Sequence, residues 1–193
     1  GMPGDDFGNM TALQGQWAVV GARYQTVSGV TRAGAVYIFR NTGGAWQFFQ
    51  KLTEPAPVGP QPLARFGHGI DIDGDRMVIG SMTSNGAAAR SGIAYVYRFN
   101  GLNWARETTL APVDGASDDG FGISVAIDDP YLVVGAPYRR VGPGAVTSGT
   151  AYVYFRSTTG WTLQSTLTPP VPETGQTFGE LVAMSGDLAV VNA

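Results

Sequence analysis

His68 is the only histidine in this 193-residue sequence, so any Ser-His-Asp relay would have to pass through it. No Gly-x-Ser-x-Gly elbow and no His-Glu-x-x-His pair accompanies it. The absence of cysteine excludes thiol catalysis and disulfides and leaves the redox compartment open. Carboxylates and aromatic–arginine pairs remain. Asp114, Asp118 and Asp119 gather before Phe121, and Asp5 and Asp6 precede Phe7. Such groups could hold a cation, or act as the acid and base of a glycoside hydrolase, whose two carboxylates meet only in space. The plain alternative is a polar loop, and the sialidase-type Ser-x-Asp-x-Gly-x-Thr-Trp box is absent. Tyr24 and the run Tyr138, Arg139 and Arg140 combine an aromatic ring with arginine, a pairing enriched in binding hot spots. A solvated loop is the alternative there as well. The expected site is therefore a binding one, made of Tyr24, Tyr138, Arg139, Arg140, Asp114, Asp118 and Asp119, with no catalytic residue, metal ligand or cofactor.

These residues are placed by a repeat. Phe-Gly occurs at Phe7-Gly8, Phe66-Gly67, Phe121-Gly122 and Phe178-Gly179. Ten residues after each Phe begins a short apolar run, at Trp17, Arg76, Tyr131 and Leu188. One unit is thus present three times and begun a fourth, and repeats of this kind share a continuous core. The expected blade units are 7–65, 66–120, 121–177 and a partial 178–193, all within one propeller segment spanning 1–193.

Each unit reads as four strands, a to d. Strand a starts at Phe-Gly, and a tight turn follows at Gly74-Asp75, Asp129-Pro130 or Gly186-Asp187. Strand b is the apolar run. Strand c begins at Gly34, Gly92 and Gly149 and is apolar on both faces, as a strand covered on both sides must be. Strand d starts at Trp46, Trp104 and Trp161, and a Leu follows six residues later, at Leu52, Leu110 and Leu167. An even offset puts each pair on one face of a regular strand. No stretch carries a helical stripe. The chain is expected to be all-β, a β-propeller of four-stranded antiparallel blades with fourteen strands and about three and a half blades.

The short connections are a–b and c–d. The b–c loops (23–33, 82–91, 137–148) and the d–a connections (53–65, 111–120, 168–177) are long. In a meander these two sets emerge on one rim, so one face of the disc is built of long, unlike loops. All the candidate binding residues fall there. The alternative is that the loops only bridge adjacent blades, with Pro55, Pro57, Pro60 and Pro62 stiffening a crossover.

Composition narrows the partners. Net charge is −3, and charged residues make up 14% against about 25% in an average domain. There is no basic stripe, which argues against nucleic acid. No apolar run reaches the roughly 18 residues a membrane helix needs, which argues against membrane insertion by helices. No signal peptide opens the sequence, and Gly1-Met2 reads as the remnant of a cleaved tag.

The order Phe121-Gly122, a hairpin, Gly135-Ala136-Pro137, then Gly149-x-Ala-Tyr-Val-Tyr154 and Trp161 resembles the FG-GAP repeat. Gly21-Ala22-Arg23 and Gly80-Ser81-Met82 stand in the same place in the first two units. The resemblance implies an integrin α-subunit-like propeller of the bacterial surface or secreted kind, located outside the cell and binding partners on its long-loop face. It would also suggest a calcium loop in the a–b hairpin. Here that hairpin is too short: Asp71 and Asp73 alternate with isoleucines along strand a, and Gly74-Asp75 make the turn. The leading expectation is a non-enzymatic module that binds a protein or a glycan. The alternatives are an enzyme or accessory module acting on polysaccharide, and a structural spacer in a large secreted protein. Because the fourth unit is incomplete, the chain is expected to associate with itself or with the remainder of a longer propeller.

Overall fold

The computed structural model describes residues 2–142, 144 and 146–193; positions 143 and 145, inside the 137–148 loop, and position 1 lie outside the described residues. The first sheet orders β1 (Phe7–Gln14), β2 (Trp17–Ala22), β3 (Ala35–Thr42) and β4 (Ala45–Leu52) as an antiparallel meander. The second repeats it with β5 (Phe66–Asp73), β6 (Arg76–Ser81), β7 (Ile93–Phe99) and β8 (Trp104–Leu110). Within the third b–c loop a small hairpin forms from β11 (Arg140–Val141) and β12 (Val146–Thr147), two strands beyond the fourteen expected. The third sheet is built from β9 (Val125–Asp128), β10 (Tyr131–Ala136), β13 (Thr150–Ser157) and β14 (Gly160–Leu167). A final pair, β15 (Val182–Ser185) and β16 (Leu188–Val191), supplies the inner half of a fourth blade. No helix occurs among the described residues, and the fold is all-β with propeller-like blades.

The core lies between blades. One cluster sets Trp17, Val19, Val36 and Ile38 of the first sheet against Phe66, Ile79, Tyr95 and Trp104 of the second. The next sets Val78, Val96 and Leu110 of the second sheet against Phe121, Leu132, Val134 and Tyr152 of the third. At the two junctions between complete sheets the Phe of Phe-Gly is a main wedge: Phe66 and Phe121 are fully buried, whereas Phe7 is exposed and Phe178 half-buried. Burying such a ring contributes about 1.5–3 kcal/mol.

The glycines let these wedges seat. Gly122 holds φ of +89°, in the region that disfavours side chains. Its carbonyl lies so close to the preceding blade that a Cβ on Gly80 would sit 1.8 Å from it. The same approach recurs where Gly21 meets Gly67 and where Gly135 meets Gly179. The Gly of Phe-Gly in one blade therefore docks on the Gly that ends strand b in the blade before it.

Near the axis, strand-a side chains tie each blade to the next. Asp71 Oδ2 accepts the Ile127 N–H at 2.8 Å, Asp73 Oδ2 accepts the Asp129 N–H at 2.9 Å, and Asp128 Oδ2 accepts the Gly186 N–H at 2.8 Å. Asp71 and Asp73 thus serve as interblade acceptors at a two-residue turn. Burial pushes the Asp71 carboxyl above its usual range despite these bonds.

One expectation fails. The Trp and Leu of strand d do not share a face. Each d strand carries a bulge, at Phe49, Glu107 and Gln164, where one residue has no partner on strand c. The bulge absorbs one step of the alternation. Trp104 therefore faces the first blade and Leu110 the third.

Candidate binding face

The long loops form one face, as their lengths imply, and they are laced to each other by backbone bonds. Arg65 N–H donates to Arg32 O at 3.2 Å and Phe66 N–H to Ala33 O at 2.9 Å. Phe121 N–H to Ser91 O and Phe178 N–H to Ser148 O repeat the second bond in the later blades. The residue before each Phe is left-handed, with φ of 57° at Asp6, 59° at Arg65, 73° at Gly120 and 53° at Thr177. The loops thus bridge the blades, and in doing so they hold an exposed rim in place.

A polar node supports each loop pair, centred on the Tyr of strand c in the first two blades and on Arg139 in the third. In the first blade Tyr37 Oη donates to Gln25 Oε1 at 2.9 Å, and Gln25 Nε2 donates to buried Asp5 at 3.1 Å. In the second, Tyr95 Oη donates to Glu54 Oε1 at 3.0 Å, and Ser84 Oγ reaches the same oxygen. Burial pushes the Glu54 carboxyl up, against the hydrogen bonds from Ser84 and Tyr95 that favour its charged form. In the third, Arg139 lies beneath Asp114 and Asp119, donating to them at 2.7 and 2.8 Å. Burial pushes the Tyr152 hydroxyl up to about 12, and among the described residues that hydroxyl has no partner.

This placement sorts the sequence candidates. Asp118, Asp119, Tyr138 and Arg140 line one cleft of about 400 Å³ on the third blade. Tyr138 is exposed at its mouth, and Asp118 is paired with Arg90 at 2.6 Å. Asp119 is only 2% exposed and accepts both Arg139 and the Ala116 N–H. Arg139 and Asp114 therefore brace the cleft from below and beside it. Tyr24 lies at the equivalent cleft of the first blade, about 430 Å³, together with Asp5, Gln25, Thr31 and Arg32. Tyr24 and Tyr138 are matched by backbone as well: the N–H of each donates to the carbonyl of the Asp two residues before its Phe.

Sequence reasoning missed what surrounds Tyr24. The guanidinium carbons of Arg23, Arg32 and Arg65 lie 4.8, 5.1 and 5.6 Å from the centre of its ring. Arg23 also donates to Asp6 at 2.6 Å and touches His68 Nε2 at 3.0 Å. His68 is held on its other side by Ile123 O, and burial, aided by Arg23 and Arg65, pushes its pKa down. Arg32 and Arg65 are far apart in sequence, and only the loop lacing brings them together. The one available sign was that Arg65 occupies the position before Phe-Gly.

Among the described residues no three or more His, Cys, Asp or Glu side chains are arranged to hold a metal ion. No helix is long and apolar enough to cross a membrane. A family model described as the FG-GAP repeat matches residues 1–39, 46–97, 104–154 and 161–193. Three of the matched segments open at the Trp of an outer strand; the first two of these take strand d from one sheet and strands a to c from the next, and the last takes strand d and the β15–β16 pair. No curated protein matches the chain.

Proposed function

The chain belongs to the FG-GAP repeat family, and from that premise we propose that it is a non-enzymatic propeller segment, 1–193, whose long-loop face binds a protein or glycan ligand outside the cell or at its surface. The observation that carries this reading is the pair of equivalent clefts on the first and third blades. Each is edged by an exposed or half-exposed tyrosine and an arginine, and each stands on a hydrogen-bonded node. A rigid scaffold presenting unlike loops is the usual arrangement for recognition.

Cleavage of polysaccharide draws less support. Its best carboxylates, Asp118 and Asp119, are each already engaged by an arginine. The open end faces of the stack favour association with a second copy or with further blades. Phe7, Trp46 and Phe48 are exposed on the first sheet, Leu188 and Val190 on the last strand, and Leu181 just before β15.

Glycan and extracellular-protein arrays probed with the chain test the binding reading. A ligand is expected whose binding falls tenfold or more with Tyr138→Ala or Tyr24→Ala and is unchanged by Arg98→Ala on the tight-turn face. Turnover of a glycan that is lost in Asp118→Asn would replace this reading with the enzymatic one.

A further inference from the structure

We propose that Arg23, Arg32 and Arg65, gathered about Tyr24, form a receptor for a carboxylate on a peptide segment of a partner protein; the proposal rests on the loop-face reading and names its ligand chemistry. The first ground is unbalanced charge. On the tight-turn face Arg76, Arg98 and Arg156 are met by Asp75, Glu107 and Asp129. On the third blade Arg139 is met by Asp114 and Asp119. At Tyr24 the only carboxylate in an ion pair is Asp6, on Arg23. Among the described residues Arg32 and Arg65 have no carboxylate partner. Among those residues the Arg65 side chain hydrogen-bonds Met82 Sδ alone, at 3.6 Å, and its buried Nε has no partner. Asp5 lies below but is occupied by the Met2 and Gln25 nitrogens.

The second ground is that the fold does not require these arginines. In the other blades the place of Arg23 is taken by Met82 and Pro137, and that of Arg65 by Asp6, Gly120 and Thr177. Arg32 has counterparts in Arg90, which is paired with Asp118, and in Thr147. The three come together at one blade junction alone. Attraction to the ring face orients a guanidinium but does not neutralise it.

The third ground selects the ligand. The guanidiniums occupy the ring, so Tyr24 does not offer an open platform for a sugar to stack on. What remains are planar donor forks, which match a carboxylate with two parallel hydrogen bonds. The positive region is small. The same face carries Asp114, Asp118 and Asp119, and the whole chain is at −3. A long polyanion lying across it would meet those carboxylates, whereas a single peptide carboxylate is confined to the arginines. The adjoining cleft of about 430 Å³ leaves room for the peptide on either side of that group.

The test is a titration followed by NMR of the arginine Nε–Hε and Tyr24 ring signals. Acetyl-glutamate amide offers a side-chain carboxylate and acetyl-alanine a terminal one; acetyl-glutamine amide is the neutral control and trigalacturonate the acidic sugar. Saturable shifts at Arg32 and Arg65 are expected from one or both carboxylate peptides, and whichever binds more tightly identifies the source. They should weaken tenfold or more in Arg32→Gln, an exposed position, and in Arg65→Gly, the residue that the third blade carries there. No saturable shift from either peptide, equal shifts from the neutral control, or trigalacturonate binding tenfold tighter than both peptides would each overturn the proposal. A loop-face ligand found on the arrays whose affinity is unchanged in both variants would overturn it too, while leaving the loop-face reading intact.

Discussion

Glu54 shows how a single side chain in the loop frame sets a pH dependence. It is 3% exposed, receives Tyr95 and Ser84 on one oxygen, and leaves the other without a partner. Burial raises its pKa above 4.5. A carboxyl raised on folding contributes stability that is complete below its unfolded pKa and is lost as pH rises through its folded value. Glu54→Gln keeps an acceptor for both hydroxyls and removes the charge. Melting temperatures should therefore be equal or higher for Glu54→Gln at pH 7, with the wild type recovering as pH falls toward about 4.5. A gap between the two proteins that stays constant with pH would contradict this. The position was not legible beforehand: Glu54 sits at the start of a proline-rich crossover and reads as a solvent-facing loop residue. Its burial follows from the neighbouring blade, which brings Ser84 and Tyr95 to it. Arg139 is a similar case. Tyr138, Arg139 and Arg140 look alike as a run, yet loop alternation turns the middle one inward onto Asp114 and Asp119.

At the level of elements, the Phe-Gly and strand-b glycines act as a pair across the blade junction. A Cβ at Gly80 meets the carbonyl of Gly122 at 1.8 Å, whereas Gly101, at φ of +93°, has nothing within 4 Å of its missing Cβ. Gly101→Ala pays only for the left-handed backbone, about 1–2 kcal/mol. Gly80→Ala keeps an ordinary backbone but must push two blades apart, which costs about 1–3 kcal/mol or more and loosens the packing around Phe121. Urea unfolding should rank Gly80→Ala as the more damaging and should show altered near-ultraviolet circular dichroism for it alone. The reverse ranking would contradict the interblade role. Fourteen of the sixteen strands among the described residues, their two-residue a–b turns and the division into a long-loop and a tight-turn face were readable, because apolar runs, Gly-Asp turns and loop lengths are local signals. The bulges were not. Phe49, Glu107 and Gln164 share no residue type that marks an extra step, and an offset of six looked regular until strand c showed which residue lacked a partner.

For the molecule as a whole, the three blades and the begun fourth leave two unlike faces at the ends of the stack. Light scattering at tens of micromolar should show species heavier than the 20.2 kDa chain, and Phe48→Lys, at an exposed position on the first sheet, should return them toward monomer. A monodisperse monomer that binds no hydrophobic dye would contradict that association. The rim between those ends carries the proposed binding face, and which arginines meet there could not be seen along the chain. Arg23, Arg32 and Arg65 converge on Tyr24 only after two loops are laced edge to edge. Hydrogen exchange of the chain with and without a ligand recovered from the arrays reads out the loop face itself. Exchange should slow in the b–c loops and d–a connections around Tyr24, Arg65 and Tyr138, with the a–b turns at Gly74-Asp75 and Asp129 unchanged; protection confined to those turns or to the end faces would rule out binding at the loop face.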